Sequence, residues 1–291
     1  MKGVIRTRFA PSPNGALHLG HAYAACQAHD FARSVGGEFL LRIEDIDGVR
    51  SRPELVDAIF EDLRWLGLHW DGPVLFQSSR LADYAAALDT LKARGLLYPC
   101  FCTRGEIAAA GATQGPEGLV YPGTCRALST AERTRRILSE PHSWRLDMAA
   151  AIAITGPLTW HDTHAGDQQA RPDLFGDVVL ARKDAPASYH LAVTLDDAHQ
   201  HISHVVRGED LFAATHVHRV LQALLQLPVP QYLHHPLLAR ADGRKLAKSE
   251  NAAALALLRT EGADGLALAE ALRKNVLPTG ISWAKASYRI T

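Results

Sequence analysis

The sequence predicts an α/β protein: a doubly wound parallel sheet, split by an inserted subdomain and followed by a short helical C-terminal segment. Three observations carry this. Extended and helical patterns alternate from Val4 to Leu96. The alternation breaks at Tyr98-Pro-Cys100-Phe-Cys102 into a glycine-rich stretch, and it resumes near Ser188.

Val4 to Phe9 alternates β-branched and aromatic residues and stops at Pro11-Ser-Pro13-Asn14-Gly15, which reads as a strand entering a turn. Ala16 to Val35 then has helical composition without proline, and Gly36-Gly37 ends it. Glu38 to Ile43 reads as a second strand, bringing Arg42, Glu44, Asp45 and Asp47 to its carboxyl end, where open α/β sheets gather ligands. Pro53 to Leu66 and Leu81 to Leu96 have helical periodicity. Between Cys100 and Pro186 come Gly111, Gly115, Gly118 and Gly123, a short strand-like piece at Ile152 to Thr155, and a polar stretch at His161 to Pro172. From Ser188 two strands are expected, SYHLAVTLDD and HISHVVRGED, then a helix over Leu211 to Leu225 that stops before Pro228. The expected units are thus 1–98 and 187–249 as two halves of one domain, 99–186 as the insert, and 250–291 as a helical tail.

With 291 residues, 47% of them hydrophobic, the chain has ample material for buried cores, which excludes a disordered protein. The 31 basic and 31 acidic residues cancel, so any nucleic-acid contact has to come from local clusters such as Arg50 with Arg52, or Arg133, Arg135 and Arg136. The N-terminus lacks the apolar core of a signal peptide and no run is long enough to span a bilayer, so a cytoplasmic protein with no membrane partner is expected. Of four cysteines, three sit together at 100, 102 and 125, which favours a metal over a disulfide framework. Cys26, alone in the first helix, reads as a core residue.

Two stretches carry chemistry. RTRFAPSPNGALHLGH, Arg6 to His21, joins strand to helix, and a helix start is an anion site of free N–H groups and positive dipole. His18 and His21 fall on one side of the first turn, and Gly20 leaves bare backbone for a flat group. Near the other end, Asp242-Gly243-Arg244-Lys245-Leu246-Ala247-Lys248-Ser249 offers two lysines beside a turn, suited to a polyphosphate. Neither GxGxxG nor a Walker lysine loop is present.

These stretches, with LLRIEDID (40–47), WLGLHWDGP (65–73), QSSR (77–80) and VVRGEDL (205–211), resemble the catalytic domain of a class I glutamyl-tRNA synthetase over roughly residues 4 to 258. The departures are Leu19 for the usual isoleucine of HIGH, and Leu246 and Ala247 for the methionine and serine of KMSKS; the missing serine puts one phosphate hydrogen bond in doubt. The resemblance implies a Rossmann-like sheet, ATP with Mg²⁺, and L-glutamate as substrate. It carries ATP contacts onto His18, Gly20, His21 and Lys248, with Lys245 beside them. The glutamate contacts fall on Arg8, Phe9, Ala10, Pro11, Ser12, Glu44, Tyr189 and Arg207. In their own chemistry Arg8 and Arg207 suit carboxylates, Glu44 an ammonium, and Ser12 and Tyr189 offer hydroxyls. Asp45, Asp47 and Asp210 read as structural, and the His161/His164 and His234/His235 pairs read as surface or core residues. Three thiolates suit one Zn²⁺, which wants four ligands; the resemblance puts Tyr121 fourth, with His142 or water as competitors.

Past the basic loop only residues 250 to 291 remain, too few for a helical anticodon-binding domain. A chain this short, with CxC and a distant Tyr-x-x-x-Cys, resembles the branch of the family that attaches glutamate to the queuosine base of tRNA(Asp). That modified tRNA is therefore an expected partner, and a monomer is expected. Two alternatives stand beside this: a compact glutamyl-tRNA synthetase charging the tRNA 3′ end, and a non-catalytic tRNA-binding paralogue. The intact His18, Gly20, His21, Lys245 and Lys248 speak against the second.

Overall fold

The computed structural model describes residues 3–48, 50–244, 246 and 254–284. The first half runs through β1 (Arg6–Phe9), α1 (Leu19–Ser34), β2 (Glu38–Ile43), α2 (Pro53–Trp65), β3 (Leu75–Phe76) and α3 (Leu81–Ala93). The middle holds β4 (Leu97–Cys100), α4 (Arg104–Ala109), a hairpin of β5 (Gln114–Gly115) and β6 (Gly118–Leu119), α5 (Thr130–Ile137), β7 (Ser143–Leu146), α6 (Met148–Thr155), a hairpin of β8 (Thr159–Asp162) and β9 (Gly166–Gln169), and β10 (Val179–Ala181). The second half follows as α7 (Tyr189–His199), β11 (His204–Gly208), α8 (Ala214–Leu224), β12 (Gln231–His235) and β13 (Leu238–Arg240). The chain then forms α9 (Leu255–Thr260), α10 (Gly265–Arg273) and β14 (Ile281–Trp283).

β1, β2 and β3 are parallel, with Arg8 opposite Leu40 and Ile43 opposite Phe76. β11 and β12 are parallel, with Arg207 opposite His234. The two groups meet where the Ser203 N–H donates to the Arg6 carbonyl at 3.1 Å and the Arg6 N–H donates to Ser203 Oγ at 2.8 Å. Alternate strand residues face opposite ways. Thr7 Oγ1 donates to the Ala28 carbonyl of α1 at 2.7 Å, whereas Arg8 and Arg42 reach α7 on the other face. Helices therefore cover both sides.

Four expectations need correction. The sheet is mixed, because the polar stretch after Ile152 folds as the antiparallel hairpin β8–β9 and β8 docks in parallel on β12, Tyr232 opposite Asp162. Residues 188–197 are a helix, not a strand: Ser188 caps it by accepting the Leu191 N–H, and the side chains from Leu191 to Thr194 are all buried, which no half-exposed strand would show. Ile152 to Thr155 is the end of α6, capped by Asp147 and carried by alanines. The C-terminal segment adds a strand to its helices, β14 pairing antiparallel with β13.

One core lies under α1 and takes in Leu255 of α9 and Ala269 and Leu272 of α10. Gly265 makes that approach possible, since a Cβ there would stand 2.2 Å from the Trp65 carbonyl oxygen. A second core joins α3, β4, α6, α7 and α8, and a smaller one gathers Trp160, Phe212 and Tyr232. Among the described residues no helix is long and apolar enough to cross a membrane.

Candidate active site

β1 ends at Phe9, which is buried in the core, and the chain turns through Ala10, Pro11 and Ser12. The Pro11 carbonyl accepts the Glu44 N–H at 3.0 Å, which ties the exit of β1 to the exit of β2. The helix start that follows is capped by two histidines in reciprocal fashion. His18 Nδ1 accepts the Gly20 N–H at 3.1 Å and His21 Nδ1 accepts the His18 N–H at 3.1 Å, with the ring centroids 3.8 Å apart. An imidazole nitrogen that accepts carries no proton, so both neutral rings hold theirs on Nε2. The space over Gly20 is occupied by the His18 ring: an added Cβ would lie 3.0 Å from its Cε1. The glycine thus makes room for the cap itself.

Lys245 and Lys248 lie outside the described residues. Their flanks do not. Leu246 reaches the same spot, 3.9 Å from the position of a Gly20 Cβ, and on the far side Ala254 bridges His18 while the Leu255 N–H donates to the Leu17 carbonyl at 2.9 Å. The two described flanks, Leu246 and Ala254, therefore both lie at the start of α1.

Beside this turn a cavity of ≈ 160 Å³ is lined by Ser12, Glu44, Gln77 and Tyr189, with Arg50 and Arg182 at its edge. That is below the roughly 300–1,000 Å³ of drug-sized clefts and suits a small polar molecule. Burial pushes the Glu44 carboxyl up to about 7, against the lowering influence of Arg42 and Arg8. Tyr189 is likewise pushed up to about 12 by burial, so its hydroxyl stays protonated. Two larger cavities, ≈ 590 and ≈ 420 Å³, share Arg6 and His201 and open at the amino ends of the strands, away from the histidine cap. Site geometry outweighs volume here, because in open α/β sheets ligands collect at the carboxyl ends.

The two arginines are built differently. Arg8 donates from Nε to Asp197 Oδ1 at 2.9 Å and from Nη2 to Oδ2 at 3.3 Å, and Asp197 also accepts from Arg42. Despite burial, these two guanidiniums hold the Asp197 carboxyl below the usual range. Its neighbour Asp196 collects Gln77 at 2.8 Å, Arg80 at 2.7 Å and Tyr84 at 2.8 Å. Arg207 donates to His234 Nε2 at 3.1 Å, the Tyr189 hydroxyl at 3.3 Å, the Leu211 carbonyl at 3.0 Å and Thr215 Oγ1 at 2.7 Å. Asp196 and Asp197 were not singled out from the sequence; the capped helix start at Ser188 was the signal that places them. Asp45 accepts from Ser78, and Asp47, which also lines the cavity, accepts from Arg50.

Cys100, Cys102 and Cys125 bring their sulfurs within 4.8 Å of one another. Cys102 Sγ lies 3.5 Å from Cys125 Sγ and 3.5 Å from the Tyr121 hydroxyl. A tetrahedron with Zn–S bonds of about 2.3 Å has edges of roughly 3.8 Å, so this donor set fits one ion. His142 is turned elsewhere, its Nδ1 donating to the Glu140 carbonyl at 3.1 Å. Cys26 is buried in the core.

A histidine-capped helix start beside a small polar cavity at the strand ends, with Leu246 and Ala254 both lying against that helix start, is the architecture of a class I aminoacyl-tRNA synthetase catalytic domain. The family described as tRNA synthetases class I (E and Q), catalytic domain, matches residues 4–285, and the chain belongs to it. It is 51% identical over 270 residues to a glutamyl-Q tRNA(Asp) synthetase of Rhodobacter capsulatus, covering 88% of this chain and 95% of that one. It is 45% identical over 269 residues to the protein of the same name from Symbiobacterium thermophilum, covering 88% and 81%. The crystal structure of glutamate-tRNA synthetase from Elizabethkingia anophelis superposes with a TM-score of 0.72 at 29% identity over 86% of this chain, which spans 53% of that one.

Proposed function

We propose that the protein activates L-glutamate with ATP and transfers the glutamyl group to the queuosine base in the anticodon of tRNA(Asp). The observation that carries this reading is the reciprocal histidine cap on α1, set beside the cavity of Ser12, Glu44 and Tyr189. The name shared by the relatives supplies the acceptor.

In the first step the glutamate α-carboxylate attacks the ATP α-phosphorus. A mixed anhydride forms, the bond to the β-phosphate oxygen breaks and pyrophosphate leaves. The protein contributes alignment and positive charge. His18 and His21 donate from Nε2 to phosphate oxygens, Gly20 keeps the backbone open to the cap, and Lys245 and Lys248 close over the β and γ phosphates. Mg²⁺ bound with ATP would supply neutralising charge at the phosphates. Glu44 pairs with the substrate ammonium, and the backbone from Phe9 through Ala10 and Pro11 to Ser12 forms the wall it lies against. Arg207 and Tyr189 take the side-chain carboxylate. Arg8, its Nε and Nη2 committed to Asp197 and its Nη1 donating to the Val206 carbonyl at 3.4 Å, contributes its field. In the second step the modified base attacks the acyl carbon and AMP leaves. Cys100, Cys102, Tyr121 and Cys125 would hold one Zn²⁺, which would supply a structural cross-link between the exit of β4 and the turn at Gly123.

The test is ATP–pyrophosphate exchange with each amino acid, followed by labelled glutamate on tRNA(Asp) with and without the modified base. Glutamate-specific exchange and label only on the modified tRNA are expected. Label at the 3′ end of tRNA(Glu) would make the protein a compact glutamyl-tRNA synthetase, and no exchange under any condition would make it a binding paralogue. Metal analysis of wild type against Cys125→Ser reads the zinc directly, one equivalent falling to none.

A further inference from the structure

Arg207 is buried, yet every contact it makes among the described residues is to a neutral group. A guanidinium only donates, and this fixes the proton positions of everything around it. His218 Nδ1, 3.4 Å from Arg207 Nη1, must accept; its proton sits on Nε2, 3.2 Å from His190 Nδ1. His190 then accepts at Nδ1 and donates from Nε2 to Glu117 Oε2 at 3.0 Å. On the other side His234 accepts at Nε2 and donates from Nδ1 to Asp162 Oδ2 at 2.8 Å. Two chains of hydrogen bonds thus start at one arginine, run in a single direction each and end on carboxylates. Both carboxylates belong to the stretch between the two halves of the sheet: Glu117 lies in the β5–β6 turn and Asp162 closes β8.

We propose that Glu117, His190 and His218, with Asp162 and His234, are positioning residues that hold the Arg207 guanidinium and the Tyr189 hydroxyl for the side-chain carboxylate of the substrate, so that the intervening stretch sets amino-acid affinity. This rests on the reading that Arg207 and Tyr189 meet glutamate. A carboxylate bonded directly to Arg207 would cancel the charge the substrate needs. An imidazole placed between them keeps the guanidinium in place and leaves its charge for the ligand. Tyr189 accepts from Arg207, so its own O–H remains to donate. Burial and the Arg207 charge hold His218 well below its ordinary value, which keeps the ring neutral as the chain requires.

Glutamate-dependent pyrophosphate exchange tests this with four relay variants and one control. In His218→Leu the KM for glutamate rises about tenfold, the scale of one hydrogen bond to a charged group, while the ATP KM and kcat stay within about twofold. His218→Gln, which restores one acceptor and one donor, recovers most of the loss. Glu117→Gln, a change at an exposed position, raises the glutamate KM about threefold by removing only the terminal charge, and His190→Ala falls between. An unchanged glutamate KM in Glu117→Gln and His190→Ala overturns the proposal, as does a rise in both KM values that His218→Gln does not rescue. Arg207→Met is the control. If it keeps the wild-type glutamate KM, the site assignment fails; if it loses glutamate while the relay variants do not, the relay alone fails.

Discussion

Arg8 and Arg207 stand near the carboxyl ends of neighbouring strands, both nearly inaccessible at 4% and 6% exposure, and meet opposite surroundings. Arg8 is gripped through two nitrogens by Asp197, which also takes Arg42, a residue with no exposed surface at all. Arg207 has imidazoles, hydroxyls and a carbonyl instead, with its nearest carboxylate acceptors one or two rings away. A direct buried pair satisfies itself, and what it gives is a fixed joint between β1, β2 and α7. A cation surrounded by neutral acceptors is held just as firmly but keeps an unmatched charge. The difference separates an arginine locked into a joint from one whose charge meets only neutral groups.

Breaking the two environments should produce opposite phenotypes. Asp197→Asn strands two buried guanidiniums, and its expected cost is about 3–5 kcal/mol of folding stability, read as a lower urea midpoint. A variant with wild-type stability would show that water or Glu44 replaces the aspartate and that the joint is not structural. Arg207→Met leaves no carboxylate in direct contact unpaired, so its midpoint should move little. Its glutamate-dependent exchange should fall by about 10²–10³, the loss of two charge-assisted bonds. Should Arg207→Met instead unfold the protein while Asp197→Asn keeps it intact, the comparison is reversed and Arg8 is the arginine that meets the substrate.

The sequence made much of this legible, and the limits have physical causes. β2 occupies Glu38–Ile43, and α1 and α2 start within a few residues of their expected places, because composition and stop signals agree there. α7 reads as a strand in the sequence because Tyr189, Leu191, Val193 and Leu195 give a period of two; the Ser188 cap is a local signal weaker than that alternation, yet it marks the true helix start. The resemblance supplied Ser12, Glu44 and Tyr189, and the fold sets all three around one cavity. It did not supply Asp197, Asp162, Glu117, His190 or His218, which matter only through partners 11 to 189 positions away, in other elements of the fold, a relation no local pattern encodes. His234 carries only a surface or core reading in the sequence; it is buried, and nothing in the sequence hints that its ring faces an arginine.

A smaller effect sharpens the contrast through Glu44, which faces the same cavity with its carboxyl near 7. Only the ionised form pairs with an ammonium, so the glutamate KM should rise about tenfold between pH 8 and pH 6 and the ATP KM should not. The stability consequence runs the other way. The folded state holds this proton more tightly than the unfolded chain, so Glu44 adds stability below the ordinary value of about 4.3 and loses it as the pH rises through about 7. Glu44→Gln should therefore raise Tm at pH 8, with the gain shrinking toward pH 5, while flattening the pH profile of the KM at a higher level. A wild-type KM that is flat from pH 6 to 8 removes Glu44 from ammonium binding.

The smallest expected effect concerns the histidine cap, which uses the device seen around Arg207: an obligatory donor fixes a tautomer. The backbone N–H groups of Gly20 and His18 force the protons of His18 and His21 onto Nε2. Gly20→Ala puts a methyl 3.0 Å from the His18 ring, which can swing aside at the expense of its bond to the Gly20 N–H. A cap is worth about 1 kcal/mol, so a fall in exchange of about fivefold and a slightly lower Tm are expected. His18→Asn separates the two roles of the ring, because asparagine caps a helix well and has nothing in the place of Nε2. Exchange should then drop further than in Gly20→Ala while Tm is kept. If His18→Asn retains full exchange, the ring at position 18 is a cap alone, and its proton does no work on the phosphates.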